Sequence, residues 1–253
     1  MPCGRDRRST AGKGTCHPLR REAPSLAAPR RTTAVDPGVL RLTTVIHLVR
    51  HGHVENPERV VYGRLPGFAL SPLGRAQAEL LRHWFAEQPL AAVISSPMER
   101  AQTTAEAIAS AHGLPVHVDQ RLIEASNVFE GVAGSLLWYL VRHPRRLWAL
   151  RDLQRPSWGE RNVDLVERMH QAVDAARSEQ PDRATVLVSH QAPIWVARLA
   201  FERRPLGHVP RRRRCTLASV TSITFDGDDV LDVSYTEPAV AAPGSIRPGH
   251  ANA

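Results

Sequence analysis

Lysine is nearly missing from the 253 residues: Lys13 stands alone, and every other one of the 33 basic side chains is arginine. So lopsided a usage points to a GC-rich coding sequence, and it removes arginine abundance by itself as a functional sign. Cysteine is scarce as well. Cys3, Cys16 and Cys215 are odd in number and have no paired spacing, which excludes a disulfide framework and predicts a reducing, cytoplasmic setting. No apolar run approaches the ~20 residues a membrane-spanning helix needs, so no membrane partner is expected. The arginines near the N-terminus are followed by no continuous apolar stretch, which argues against a secretory signal. The chain holds no Gly-x-x-x-x-Gly-Lys-Ser/Thr loop, so a nucleoside triphosphatase is unsupported. Thr221 occupies the place where a cysteine-dependent phosphatase loop starting at Cys215 would need arginine.

Net charge is +8, but residues 1–41 supply +6 of it, with nine basic against three acidic side chains. The remainder is close to neutral. No aromatic residue interleaves the basic stretch, so nucleic acid is not an expected partner. Residues 1–41 lack apolar periodicity and read as a disordered basic tail, and 238–253 read as a second one. The folded part is placed at 42–237 as one domain. Within it, about 125–160 is less regular and carries Trp138, Tyr139, Trp148 and Trp158, which suits a substrate lid or ordinary packing. The run Arg211–Arg214 suits a solvated turn before the final strands, or a polyanion contact.

Between the tails, strands and helices alternate. Thr44–Val49 is β-rich and apolar, a buried strand. Ser71-Pro72 supplies a cap and a first-turn proline for a helix with Leu73, Ala76, Leu80 and Trp84 at helical spacing. Ala91–Ile94 is a second strand. Ser96-Pro97-Met98-Glu99 has the form of a capping box and opens a helix that runs to Gly113. Val116–Val118, a helix over Asn162–Arg177 and a strand over Thr185–Ser189 follow. A helix opened by Pro193 and a hairpin over 217–236 around Asp226-Gly227 close the chain. This alternation predicts a three-layer α/β/α domain with a mostly parallel central sheet.

In such a sheet, ligands bind beyond the carboxyl ends of the strands. There the sequence places Arg50-His51-Gly52-His53 after the first strand and Arg100 in the first turn of the helix after the second. Glu124 follows the third strand and His190 the fourth. Two arginines and two histidines at one edge make a dianion pocket, because a guanidinium fork matches phosphate oxygens and a helix N-terminus favours an anion. His47, His51 and His53 also raise a metal cluster, but His47 lies inside the strand and no carboxylate or cysteine joins at ligand spacing. No metal and no cofactor is expected.

Five segments in order resemble the histidine phosphatase superfamily, which includes the phosphoglycerate mutases. They are Leu48-Val49-Arg50-His51-Gly52; Leu70 to Ala78, with the form Leu-Ser-x-x-Gly-x-x-Gln-Ala; Ser95 to Ala105; Arg121-Leu122-Ile123-Glu124 with Glu130-Gly131; and Val188-Ser189-His190. The resemblance implies a phosphoglycerate mutase-like fold. It implies His51 as the nucleophile, becoming a phosphohistidine, with Arg50, Arg100 and His190 on the phosphoryl oxygens. Glu124 would protonate the leaving oxygen and then activate water. Asn56, Arg64 and Gln191 are further candidates for substrate contact. His53 stands where many members have Glu, and Gln191-Ala192 replaces the Gly-Gly or His-Asp that follows the second histidine, which leaves Glu124 as the only motif-supported proton donor. Glu160 after Gly159 faintly matches a Gly-Glu-Ser element, and a solvated carboxylate at a helix start fits it as well. The expected activity is metal-independent hydrolysis of a small phosphomonoester. A phosphomutase is the alternative, and a non-catalytic phospholigand-binding protein is the alternative of another class.

Overall fold

A computed structural model describes residues 43–145, 159–206 and 213–241. The stretches 1–41 and 242–253 read as tails, the middle of the insert with Trp148 and Trp158, and Arg211 and Arg212 lie outside the described residues.

At the centre of the sheet is β1 (Thr44–Arg50). The later elements are α1 (Pro72–Ala86), β2 (Leu90–Ser95), α2 (Glu99–Ser110), β3 (Val116–Val118), α3 (Leu136–Arg142), α4 (Asn162–Glu179), β4 (Ala184–Ser189), α5 (Gln191–Phe201), β5 (Val220–Asp226), β6 (Asp229–Thr236) and α6 (Pro238–Ala241). The six strands lie in the order β3-β2-β4-β1-β5-β6. The first four are mutually parallel, while β5 and β6 run antiparallel at the other edge. Strands β1 and β4 are almost uninterrupted apolar runs because both faces are covered. On one face, Leu81, Phe85, Ala105 and Ile108 of α1 and α2 pack on Val49, Val93, Val186 and Val188. On the other, Met169, Val173, Ile194 and Ala197 of α4 and α5 pack on Ile46, Leu48, Leu187 and Ile223. The three layers are those the alternation predicts.

Local signals hold in some places and give way in others. Helix α1 starts as its sequence indicates: Ser71 is extended, and its Oγ accepts the Gly74 N–H at 3.1 Å. Helix α2 does not. Its cap is Met98 with no side-chain bond; the Ser96 hydroxyl accepts the Met98 N–H at 3.4 Å but makes its shorter bond elsewhere. The helix ends at Ser110, with a turn before Gly113 at φ +63°. Helix α5 begins at Gln191, directly after His190, rather than at Pro193. Pro193 is then its third residue, where the missing N–H costs no intrahelical bond. Ordered structure also passes residue 237, since α6 places Ala239 in the α1–α2 core.

The site follows from strand order. Because β2, β4 and β1 are parallel neighbours, their carboxyl ends lie side by side, with Arg50 opposite Ser189 and Ser95 opposite Val188.

Candidate active site

His51 leaves the end of β1 with its backbone N–H on the Ser189 carbonyl, at 3.2 Å. Its ring Nδ1 lies 2.8 Å from the Gly52 carbonyl. A carbonyl only accepts, so the proton sits on Nδ1 and Nε2 keeps its lone pair. Burial first, then the charges of Arg100 and Arg50, hold this imidazole well below its ordinary pKa against the opposing Gly52 bond. It is neutral at pH 7.

The loop that carries His51 is seated on α1. The His53 N–H donates to Gln77 Oε1 at 2.8 Å, and its Nδ1 lies 2.8 Å from Ser71 Oγ. The Ser71 N–H returns a bond to the His53 carbonyl at 2.9 Å. A Cβ on Gly74 would stand 1.9 Å from the His53 oxygen, and one on Gly52 would stand 2.6 Å from the Gly74 oxygen. The segment Leu70–Ala78 thus has a physical reason for its pattern: Ser71, Gly74 and Gln77 form the seat, and only glycine allows the approach. Opposite, the Gly52 N–H donates to Thr104 Oγ1 at 3.2 Å, which ties the loop to α2.

The structure brings Arg50, Arg100 and His190 to this loop. Relative exposures of 8% for Arg50, 1% for Arg100, 1% for His51 and 0% for His190 mean that two full cations are removed from water beside two imidazoles. Each arginine is anchored by a main-chain oxygen. Arg50 Nη1 donates to Cys215 O at 2.6 Å, and Arg100 Nη2 donates to Gly63 O at 2.6 Å. Arg100 also lies over the Tyr62 ring, 4.8 Å from its centroid. His190 Nε2 lies 2.7 Å from Ser96 Oγ, and its ring centroid is 5.1 Å from that of His51. Burial, then Arg100, His51 and Arg50, keep His190 well below its ordinary pKa too. Three buried nitrogens of this group, Arg50 Nε, Arg100 Nε and His190 Nδ1, have no hydrogen-bond partner in the protein. Buried donors left unpaired cost about 1–3 kcal/mol each, which an anion with several acceptor oxygens would offset.

Glu124 is half-buried at the same edge. Its Oε1 accepts the Ala125 N–H at 2.8 Å, and its charge reaches Arg100. Arg64 is fastened rather than free: Nε donates to Glu124 O at 2.7 Å, Nη2 to Glu160 Oε2 at 2.8 Å, and its N–H to Glu130 Oε1 at 3.0 Å. Arg168 Nε holds the other oxygen of Glu160 at 2.7 Å and its Nη1 bonds Arg121 O. Glu160 is therefore a half-buried link in a network that supports Glu124. Asn56 braces its own loop, with Oδ1 and Nδ2 both on the Val60 backbone at 2.9 Å. Gln191 is the half-buried first residue of α5, next to His190.

Three participants escape sequence reasoning. Ser96 was legible only as a helix cap, Tyr62 carried no signal, and Arg213 was masked by its run of like residues. Arg213 is half-buried, not solvated, and its charge acts on both Glu124 and Arg50. Among the described residues no three His, Cys, Asp or Glu side chains are grouped to hold a metal, and no helix is long and apolar enough to cross a membrane.

The model of the histidine phosphatase superfamily (branch 1) matches residues 46–236. The chain is 49% identical over 199 residues to an uncharacterized protein of Mycobacterium tuberculosis (strain ATCC 25618 / H37Rv), covering 78% of this chain and 97% of that protein. It is 28% identical over 173 residues to the glucosyl-3-phosphoglycerate phosphatase of the same strain, covering 64% and 77%. The solved native structure of a mycobacterial glucosyl-3-phosphoglycerate phosphatase is similar with a TM-score of 0.62 and 26% identity, over 77% of this chain and 96% of that one. With the motif residues gathered at one sheet edge and the match extending from β1 to β6, the chain belongs to branch 1 of the histidine phosphatase superfamily.

Proposed function

We propose that this chain hydrolyses small phosphomonoesters through a phosphohistidine on His51. The observation that carries the reading is the state of His51: neutral, with Nδ1 held by Gly52 and Nε2 free among Arg50, Arg100 and His190. The Nε2 lone pair attacks phosphorus in line, the N–P bond forms, and the bond to the leaving oxygen breaks. Glu124 gives its proton to that oxygen. Arg50, Arg100 and His190 hold the other phosphoryl oxygens, with His190 donating from Nδ1 while Nε2 accepts from the Ser96 hydroxyl. In the second step, the Glu124 carboxylate takes a proton from water as its oxygen attacks phosphorus, and the N–P electron pair returns to Nε2. Phosphatases named among the relatives support hydrolysis over a mutase reaction.

The test is phosphate release from a panel of phosphomonoesters by wild type and His51→Ala, with and without chelator. Release that is lost in the variant and indifferent to chelator is expected. Equal release by both proteins would refute His51 as nucleophile. Inactivity of both, with phosphate still bound, would favour the non-catalytic reading, and interconversion of phosphoglycerates without net release would favour a mutase.

A further inference from the structure

We propose that Glu160 is the positioning residue of the proton donor: it holds Arg64 and Arg168 against the main chain at Glu124 and Arg121, and so aims the Glu124 carboxyl at the leaving oxygen. This rests on the hydrolase reading above, with Glu124 as donor. That carboxyl accepts the N–H of the next residue, Ala125, at 2.8 Å, so its direction follows the local backbone. The backbone is gripped at three carbonyls. Arg168 Nη1, from α4, donates to Arg121 O. Ser189 Oγ, at the end of β4, donates to Leu122 O at 2.7 Å, and Arg64 Nε donates to Glu124 O at 2.7 Å. Both of the arginines also end on Glu160. Arg64 Nη2 meets Oε2 at 2.8 Å, while Arg168 meets Oε1 through Nε at 2.7 Å and Oε2 through Nη2 at 3.2 Å. A Cβ on Gly159 would stand 1.9 Å from Ser126 O, so the turn that presents Glu160 lies directly on the same segment.

Charge and geometry explain why a carboxylate stands there. The side chains of Glu160 and Arg168 are 16% and 15% exposed, so the pair is largely out of water, where charged bonds are strong and the loss of one partner is costly. Two converging guanidinium groups repel each other unless an anion stands between them. A carboxylate accepts from both through its two oxygens, whereas an amide offers one acceptor oxygen and turns its own donor toward an arginine. The link also sets the donor against the phosphate pocket. Arg64 directly follows Gly63, whose carbonyl accepts from Arg100 at 2.6 Å. One loop therefore holds a phosphate-binding guanidinium and the backbone of the donor, and Glu160 ties that loop to α4. A displacement of about 1 Å costs on the order of 100-fold where a donor must meet the leaving oxygen at hydrogen-bond distance.

The experiment measures kcat/KM of wild type, Glu160→Gln, Glu160→Asp and Glu124→Gln on glycerol 3-phosphate and on p-nitrophenyl phosphate. This quantity reports the steps up to phosphoryl transfer onto His51, so only the donor role of Glu124 enters it. The alkoxide of glycerol needs a proton to leave, whereas p-nitrophenolate departs as a stable anion. Glu160→Gln should lose about tenfold or more on glycerol 3-phosphate and little on p-nitrophenyl phosphate, and Glu124→Gln should show the same selectivity more strongly. The two substitutions together should cost no more than Glu124→Gln alone, because Glu160 acts through Glu124. Glu160→Asp keeps the charge on a shorter stem. It should lose less with the same selectivity, and it carries the test if Glu160→Gln does not fold. Equal losses on the two substrates, or none, in the Glu160 variants beside a selective Glu124→Gln overturn the role of Glu160. A Glu124→Gln without selectivity, or a wild type inactive on both compounds, instead overturns the reading on which the proposal rests.

Discussion

His47 makes acid stability a quantitative test of this structure. Its ring lies on the α1 face of β1 at 6% exposure, with centroids 5.3 Å from Phe85 and 6.3 Å from Trp84, and Nδ1 is 2.8 Å from Ser222 Oγ. Burial lowers its pKa from 6.5 to about 4. Unfolding restores the ordinary value, so the unfolded chain takes up a proton that the folded chain refuses. The contribution is full above 6.5, is lost as pH falls toward the folded value of about 4, and changes no further below it. At about pH 5 the loss is about 1.5 units, or about 2 kcal/mol, against a typical total of 5–15 kcal/mol. His51 and His190 add losses of the same sign, so the diagnostic is a difference between proteins. Urea unfolding of wild type and His47→Gln at about pH 7.5 and about pH 5 should show wild type losing about 2 kcal/mol more across the interval. The variant starts lower at neutral pH because it disturbs a packed site, and that offset cancels. Equal losses in the two proteins would refute a buried, neutral His47.

Two further outcomes concern the site. Ser96→Ala removes the group that orients His190 and should lower kcat/KM about tenfold with little change in melting temperature, whereas Ser96→Thr, which keeps the hydroxyl, should retain more activity in steady-state assays. Gly63→Ala meets a φ of +38° and a Cβ only 2.2 Å from Glu130 Oε1. The strain of about 1–3 kcal/mol should shift the carbonyl that anchors Arg100 and cut kcat/KM while the circular dichroism spectrum stays native; unchanged kinetics would mean that Gly63 does not position Arg100.

Much of this fold is legible locally. The apolar run of β1, the Ser71-Pro72 start of α1 and the Asp226-Gly227 hairpin tip each carry their own signal, because backbone preference and burial pattern act within a few residues. The errors arise where a local rule met a distant partner. Ser96-Pro97-Met98-Glu99 satisfies the capping-box pattern, yet the short bond of the hydroxyl, 2.7 Å, goes to a histidine 94 residues away; it reaches the Met98 N–H only at 3.4 Å, and the cap position of α2 is Met98. Arg211–Arg214 suited a solvated turn or a polyanion contact; of this run Arg213 is half-buried and Arg214 exposed, two residues or fewer from Cys215, whose carbonyl accepts from Arg50. Arg64 and Asn56, expected at the substrate, also bond protein groups: Arg64 the Glu124 carbonyl and Glu160, Asn56 the Val60 backbone within its own loop.

By itself the sequence determined the alternation of strands and helices, the family, and the strand ends that carry His51, Arg100, Glu124 and His190. Apolar period, caps and motif spacing are properties of neighbouring residues, so they survive without a fold. Only the tertiary structure decided how those ends meet. Inserting β4 between β1 and β2 sets His190 against both Ser96 and His51, and laying β5 antiparallel on β1 brings the Cys215 carbonyl to Arg50 across 165 residues of chain. The protonation of His51 belongs to that second level. A histidine alone titrates near 6.5, and it is burial beside two anchored arginines that leaves this one neutral with a free lone pair.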